Sequence, residues 1–333
     1  MDQTNIQVLF FQHLRTQLAS HLSLVDEIAD LLSISNDSAY RRIRGEKPIS
    51  FEELQKLCSH FRLSLDQFLH IKNNSVIFNG NNADHDHFTF ENYLNGVLQQ
   101  LQLFNSYSTK EMFYLCKDMP FFHHCLFPEL GAFKFFFWIR SILQYPEYAK
   151  QTFSIEALSP AIRELTTKVG ELYTVIPSQE IWNVESINST IRQIDYYRNT
   201  RSFTTTEDYE RLLIILENAL DHIEQETEAG YKFFPGDAKK VKRAPYKVYV
   251  NEFILGDNTV FVKLDNNMIS FVNHSVINFM YTKDLTFNSY MDEHIKRLIK
   301  KSTLISEVGE KERTRFFNMM KEKINSRKNA LLH

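Results

Sequence analysis

Glycine is scarce in this chain, 9 among 333 residues, and proline is scarcer still at 8. Few glycines leave few tight turns in which backbone N–H groups can cradle a phosphate. No GxGxxG, Walker loop, GxSxG or HExxH motif occurs. The common signatures of nucleotide binding, serine hydrolysis and zinc peptidase chemistry are therefore missing. Carboxylate neighbours such as Glu52/Glu53 and Asp292/Glu293 read as solvated helix surface. The expectation is a non-enzyme with no catalytic residue, no bound metal and no cofactor. Cysteine numbers only 3 with no CxxC pair, which excludes a disulfide framework and suggests a reducing cytoplasm. No apolar run approaches the length of a membrane span. The densest one, 133–143, is interrupted by Lys134 and Arg140 and reads as a buried helix. The first seven residues are polar, unlike a cleavable signal.

What is present is a globular composition, 43% hydrophobic and 24% charged, long enough for two or three domains. The net charge of −3 is unevenly spread. Residues 1–72 carry 8 basic and 9 acidic side chains, 73–230 carry 11 and 21, and 231–333 carry 19 and 11. An acidic middle at −10 and a basic end at +8 should attract each other, or the basic end should stay free for an anionic partner outside the chain. Lys296, Arg297, Lys300 and Lys301 are the basic residues for which these alternatives matter.

The most patterned stretch is 24–69. Leu24, Ile28, Leu31 and Leu32 form an apolar stripe at helical spacing. Ser33-Ile34-Ser35-Asn36 is a short polar connector. Ser35 or Asn36 caps a second helix running to about Arg44, where Gly45 supplies a left-handed stop and Pro48 prevents resumption. Ser50 caps a further helix with Glu53 at the capping-box position, and Ser64 caps another over 65–69. An amphipathic helix over 5–20 precedes them, with Ile6, Leu9, Phe10, Leu14 and Leu18 facing inward.

Residues 5–70 resemble the Cro/CI (XRE-type, lambda-repressor-like) helix-turn-helix family. Ala29 occupies the small position against the second helix. Ile34 occupies the turn, Ala39 and Ile43 the inward face of the recognition helix, and Gly45 its end. Ser33 stands where the family usually has glycine, and Arg42 where it usually has an aliphatic residue. The resemblance implies double-stranded DNA as partner and a homodimer. Asn36, Asp37, Tyr40, Arg41 and Arg44 share the outward arc of the recognition helix and face base edges, since Arg suits guanine and Asn adenine. Arg42 and Lys47 are placed for phosphate. The chain as a whole resembles bacterial transcription regulators that join such a unit to a large non-catalytic C-terminal region.

Beyond this unit the sequence divides into a linker at 73–87, a helical sensor or dimerisation domain at 88–230 and an α+β domain at 246–333. Asp84, His85, Asp86 and His87 in the linker read as solvated rather than metal-binding. Helices are expected at 88–105, 129–143, 155–174, 178–198 and 206–228. Residues 110–120 fit strand or helix equally, and 121–138 is the aromatic-rich segment in which to look for an effector pocket. Residues 246–255, 258–264 and 267–273 alternate with period two and predict an antiparallel meander, followed by helices at 284–302 and 310–327. The fold expected is mostly α with a short antiparallel sheet. The function expected is a DNA-binding transcription regulator whose C-terminal region senses a small molecule or binds a protein. The alternative is an interaction scaffold of helical hairpins with a vestigial helix-turn-helix.

Overall fold

The computed structural model describes residues 5–18, 23–61, 63, 65–68, 76–80, 89–157, 159–253, 256–275 and 277–329. The aspartates and histidines of the expected linker and the Ser64 cap lie outside the described residues. The chain forms two compact units, 1–77 and 78–333.

The first unit is helical: α1 (Ile6–Gln17), α2 (Leu24–Leu32), α3 (Asn36–Ile43), α4 (Phe51–His60) and α5 (Leu65–Phe68). Polar caps define the starts. Asn5, Ser23, Ser35 and Ser50 each accept a hydrogen bond from a backbone N–H of the first turn that has no helical partner. The Ser50/Glu53 capping box forms as expected. Phe10, Phe11, Leu14, Leu24, Ile28, Ala29, Leu32, Ala39 and Leu57 make the core. One face is rotated from the sequence reading. Phe11 is buried in α1, whereas Ile6 and Leu9 are 61% and 41% exposed. Two adjacent phenylalanines bury more apolar area than the Ile6/Leu9 edge, so they set the rotation of the helix.

The second unit is built on one mixed sheet. In chain order its elements are β1 (Asn79–Gly80), α6 (Phe90–Ser106), β2 (Lys110–Cys116), α7 (Phe121–Cys125), α8 (Pro128–Phe137), α9 (Pro160–Thr174), β3 (Ser178–Trp182), α10 (Asn188–Asn199) and α11 (Thr206–Ala229). There follow β4 (Tyr246–Val250), β5 (Thr259–Leu264), β6 (Asn267–Asn273), β7 (Phe279–Thr282), α12 (Leu285–Lys300), β8 (Thr303–Leu304) and α13 (Glu310–Asn329). The strand order is β1-β7-β6-β5-β2-β3-β4-β8. Of the expected meander only β5 and β6 pair directly, and β7 is their antiparallel third strand; β4, expected as the first strand, lies apart between β3 and β8 and runs parallel to β3. Two further strands join the sheet from the middle of the sequence. β2 resolves the ambiguous 110–120 segment as a strand, and β3 replaces the first turn of the helix expected at 178–198. β2, β3 and β4 run parallel, so the sheet takes strands from both sides of residue 230.

Burial on both faces explains the difference. Met112, Tyr114 and Cys116 of β2 enter the large core under α6, α9 and α11, while Phe113 and Leu115 enter a second core under α12. A strand covered on both sides shows no period-two alternation, and neither it nor a short buried helix can be recognised by period.

Candidate nucleic-acid interface

Positioning of α3 begins at the corner with α2. Ser33 adopts a left-handed conformation at φ 55° and ψ 49°, and Ile34 N–H donates to Ala29 O at 2.9 Å. Ser35 Oγ then accepts from Ser38 N–H, starting α3. At the far end Gly45, φ 75°, reverses the chain, and Glu46 and Lys47 N–H donate back to Arg41 O. A Cβ at Gly45 would overlap the Asn5 side chain and sit 3.1 Å from a Val8 methyl, so α1 closes on the glycine.

Gln7 ties this return loop to α1. Its amide donates to Arg42 O and Lys47 O, both at 2.7 Å, and its carbonyl accepts from Ile49 N–H at 3.1 Å. Sequence reasoning missed Gln7, because a lone glutamine on an amphipathic helix carries no signal until the loop it holds is in place.

Asn36, Asp37, Tyr40, Arg41, Arg44 and Lys47 are exposed on this unit, on α3 and the turn that follows it. Arg44 lies over the Tyr40 ring at 5.5 Å, a cation–π contact that orders the guanidinium before any partner arrives. Asn36 donates one amide hydrogen to Asp26 at 3.0 Å, which leaves its Oδ1 and its second amide hydrogen for a base edge.

Arg42 departs from its expected place. It is 5% exposed, and its guanidinium grips Glu53 through two hydrogen bonds, Nε to Oε2 at 3.0 Å and Nη2 to Oε1 at 2.6 Å. A third runs to Ser38 O at 3.1 Å. Helical spacing places residue 42 beside Ala39 and Ile43 on the inward side, so the guanidinium turns toward Glu53 and away from phosphate. Glu53 also accepts from Ser50 N–H, and the side-chain hydrogen bond from Arg42 holds its carboxyl below the usual range. The ion pair ties α3 to α4.

The charges of the second unit follow the first of the two alternatives, attraction between the basic end and the acidic middle, but through residues other than those named for it. Basic α13 meets the acidic middle: Lys321 bridges Asp221 and Glu224 at 2.5 and 2.6 Å, Arg327 reaches Asp195, and Lys328 pairs with Glu217. The attraction between the two oppositely charged regions is realised within the chain, through α13. Lys296 of α12 instead pairs along its own helix with Asp292 and Glu293.

The interior of this unit holds a buried carboxylate. Glu180, fully buried, accepts from Tyr173 Oη, Tyr246 Oη at 2.7 Å, Trp182 Nε1 at 2.7 Å and His123 Nε2 at 3.0 Å. Burial pushes the carboxyl up, but the charge of His123 and the hydrogen bonds outweigh it and hold the group at about 2. The aromatic segment 121–138, expected to line a pocket, packs its rings against one another and against Tyr173 of α9. Phe122 stacks on Tyr173 at 4.7 Å and Phe121 on Trp138 at 5.8 Å. Two open polar clefts lie elsewhere, about 290 Å³ beside Arg198 and Arg327 and about 260 Å³ beside Glu224 and Arg313. No described helix is long and apolar enough to cross a membrane.

Residues 7–87 match the family model of the BetR domain. No curated protein and no solved structure matches the chain. The matched segment contains the capped helices α2, α3 and α4, the corner and the exposed face of α3. Residues 7–87 are thus similar to a DNA-binding domain of helix-turn-helix-like form, which points to a DNA-binding regulatory role.

Proposed function

We propose that the protein is a sequence-specific transcription regulator of the Cro/CI (XRE) kind, acting in the cytoplasm as a homodimer on double-stranded DNA. The observation that carries this reading is the exposed face of α3, where Asn36, Tyr40, Arg41 and Arg44 stand clear of the core on a helix held at both ends. Arg41 and Arg44 read bases. Lys47, beyond the helix end, meets phosphate. The role is non-catalytic, and the unit at 78–333 receives an effector, a small molecule or a protein. Its size and separate core support that assignment, being more than dimerisation requires.

The test is selection of bound duplexes from a random pool by the full-length protein, followed by titration of the winning site. Arg41→Ala and Arg44→Ala each weaken that site by about 1–3 kcal/mol and relax its sequence preference. Unchanged binding by the double variant removes α3 as the reader. A dimer selects two half-sites about one helical turn, roughly 34 Å, apart. A single half-site, with a monomer by light scattering, removes the dimer.

A further inference from the structure

We propose that the loop 231–245, between α11 and β4, is a second DNA-contacting surface that grips the phosphate backbone of duplex DNA without reading sequence. The proposal rests on the DNA-binding assignment of residues 7–87 and goes beyond it, because the loop belongs to the other unit. The loop is ordered by its own backbone. Lys232 N–H donates to Ala244 O at 2.8 Å, Arg243 N–H returns to Lys232 O at 3.0 Å, and Tyr231 bridges Pro245. Its tip is a turn in which Asp237 accepts from the N–H groups of Lys239 and Val241, both at 2.9 Å. These bonds hold the Asp237 carboxyl below the usual range and tie it to the backbone.

The tip presents Lys239, Lys240, Lys242 and Arg243. Three of them lie over aromatic rings: Lys240 over Phe233 at 5.5 Å, Lys242 over Tyr231 at 5.5 Å and Arg243 over Phe234 at 4.2 Å. None of the four forms an ion pair among the described residues. Lys296 of α12 and Lys321, Arg327 and Lys328 of α13 have carboxylate partners, whereas Arg297 and Lys300 of α12, like the loop cations, form no ion pair among the described residues. Four cations within five residues, preceded by the single acid Asp237 and held on a hydrogen-bonded loop, are a ready counter-surface for an extended polyanion.

The form of the loop selects the polyanion. Lys239, Lys242 and Arg243 are exposed and Lys240 half-buried, and none of the four lines either of the two clefts. Single strands are recognised by open aromatic faces on which bases stack. Here Phe233 is buried, Tyr231 and Phe234 are only part-exposed, and the cations lie over the rings. That leaves the backbone of a duplex, which needs charge and no stacking.

The test compares the full-length protein with a K239Q/K240Q/K242Q/R243Q variant on the selected duplex, by fluorescence anisotropy at several salt concentrations. Each phosphate contact adds about 0.9 to the slope of log affinity against log salt, so the variant slope should be shallower by about three to four units. Sequence preference and thermal unfolding should be unchanged. A second variant with the three lysines replaced by arginine should retain the wild-type slope. A quadruple variant within half a unit of wild type overturns the proposal and leaves the α3 reading standing. Absence of any duplex binding by the wild-type protein overturns both.

Discussion

Ser33 occupies the helix-turn-helix corner with a backbone that an L side chain adopts at a cost, φ 55°. Left-handed geometry is unfavourable by about 1–2 kcal/mol for a residue with a Cβ, and glycine offsets part of this with its greater unfolded-state entropy. Ser33→Gly should therefore stabilise the N-terminal unit by about 0.5–1 kcal/mol, read from its urea midpoint. A lower midpoint would mean that the serine side chain supports the corner. Gly45→Ala should act the other way, since φ 75° and the neighbouring Asn5 both oppose a Cβ. Arg42 supplies the sharper contrast. Were it a phosphate ligand, Arg42→Ala would leave stability alone and lower the salt slope of DNA binding by about one unit. Buried against Glu53, it should instead cost about 2–4 kcal/mol of stability, because the partly buried carboxylate loses its partner. An unchanged melting temperature for Arg42→Ala would restore the phosphate role.

At the level of elements, α13 joins sequence-distant parts of the chain. Phe316, Phe317, Met320 and Ile324 enter the main core, while Lys321, Arg327 and Lys328 pair with α10 and α11. Burial of an aliphatic or aromatic side chain is worth about 1.5–3 kcal/mol, and a partly exposed ion pair about 0–1 kcal/mol. The apolar face of α13 therefore decides its stability, and the ion pairs decide its register. Phe317→Ala should lower stability by about 3–5 kcal/mol, whereas Lys328→Ala should lower it by less than about 1 kcal/mol. Equal losses in denaturant titrations would contradict that division. The strands divide on similar lines. β5 and β6 were legible because charged and polar residues mark their ends and turns, at Asp265 and Asn267 for example. β3, Ser178–Trp182, was not, because its neighbours β2 and β4 lie more than sixty residues away in sequence and it is almost wholly buried. Its Glu180 looks like surface in any window of sequence and is fully buried in the fold.

At the scale of the whole molecule, buried titratable groups make the second unit sensitive to acid. Burial, with the charge of Lys134, holds His124 well below the usual imidazole range, so it is neutral in the fold. The unfolded chain binds that proton more readily, and stability falls as pH drops below about 6.5. Glu180 adds to the loss at lower pH. Its carboxyl is lowered from 4.5 to about 2, so its contribution is present above pH 4.5 and disappears as pH falls toward 2. At 1.36 kcal/mol per unit this amounts to about 3 kcal/mol. Urea titrations at pH 7, 5 and 3 should show the decline, and Glu180→Gln should flatten the part below pH 4.5. A Gln variant that keeps the wild-type slope there would place the acid sensitivity elsewhere.

The sequence by itself determined the N-terminal unit, because caps, stops and apolar stripes act within a few residues of one another and leave their spacing in the chain. The outward arginines Arg41 and Arg44 were legible for the same reason. Only the tertiary structure decided that Arg42 turns inward, that β2 and β3 complete a single sheet with β4, and that α13 gathers the acidic middle. Those outcomes depend on which distant surfaces bury the most apolar area together, and no local pattern records that choice.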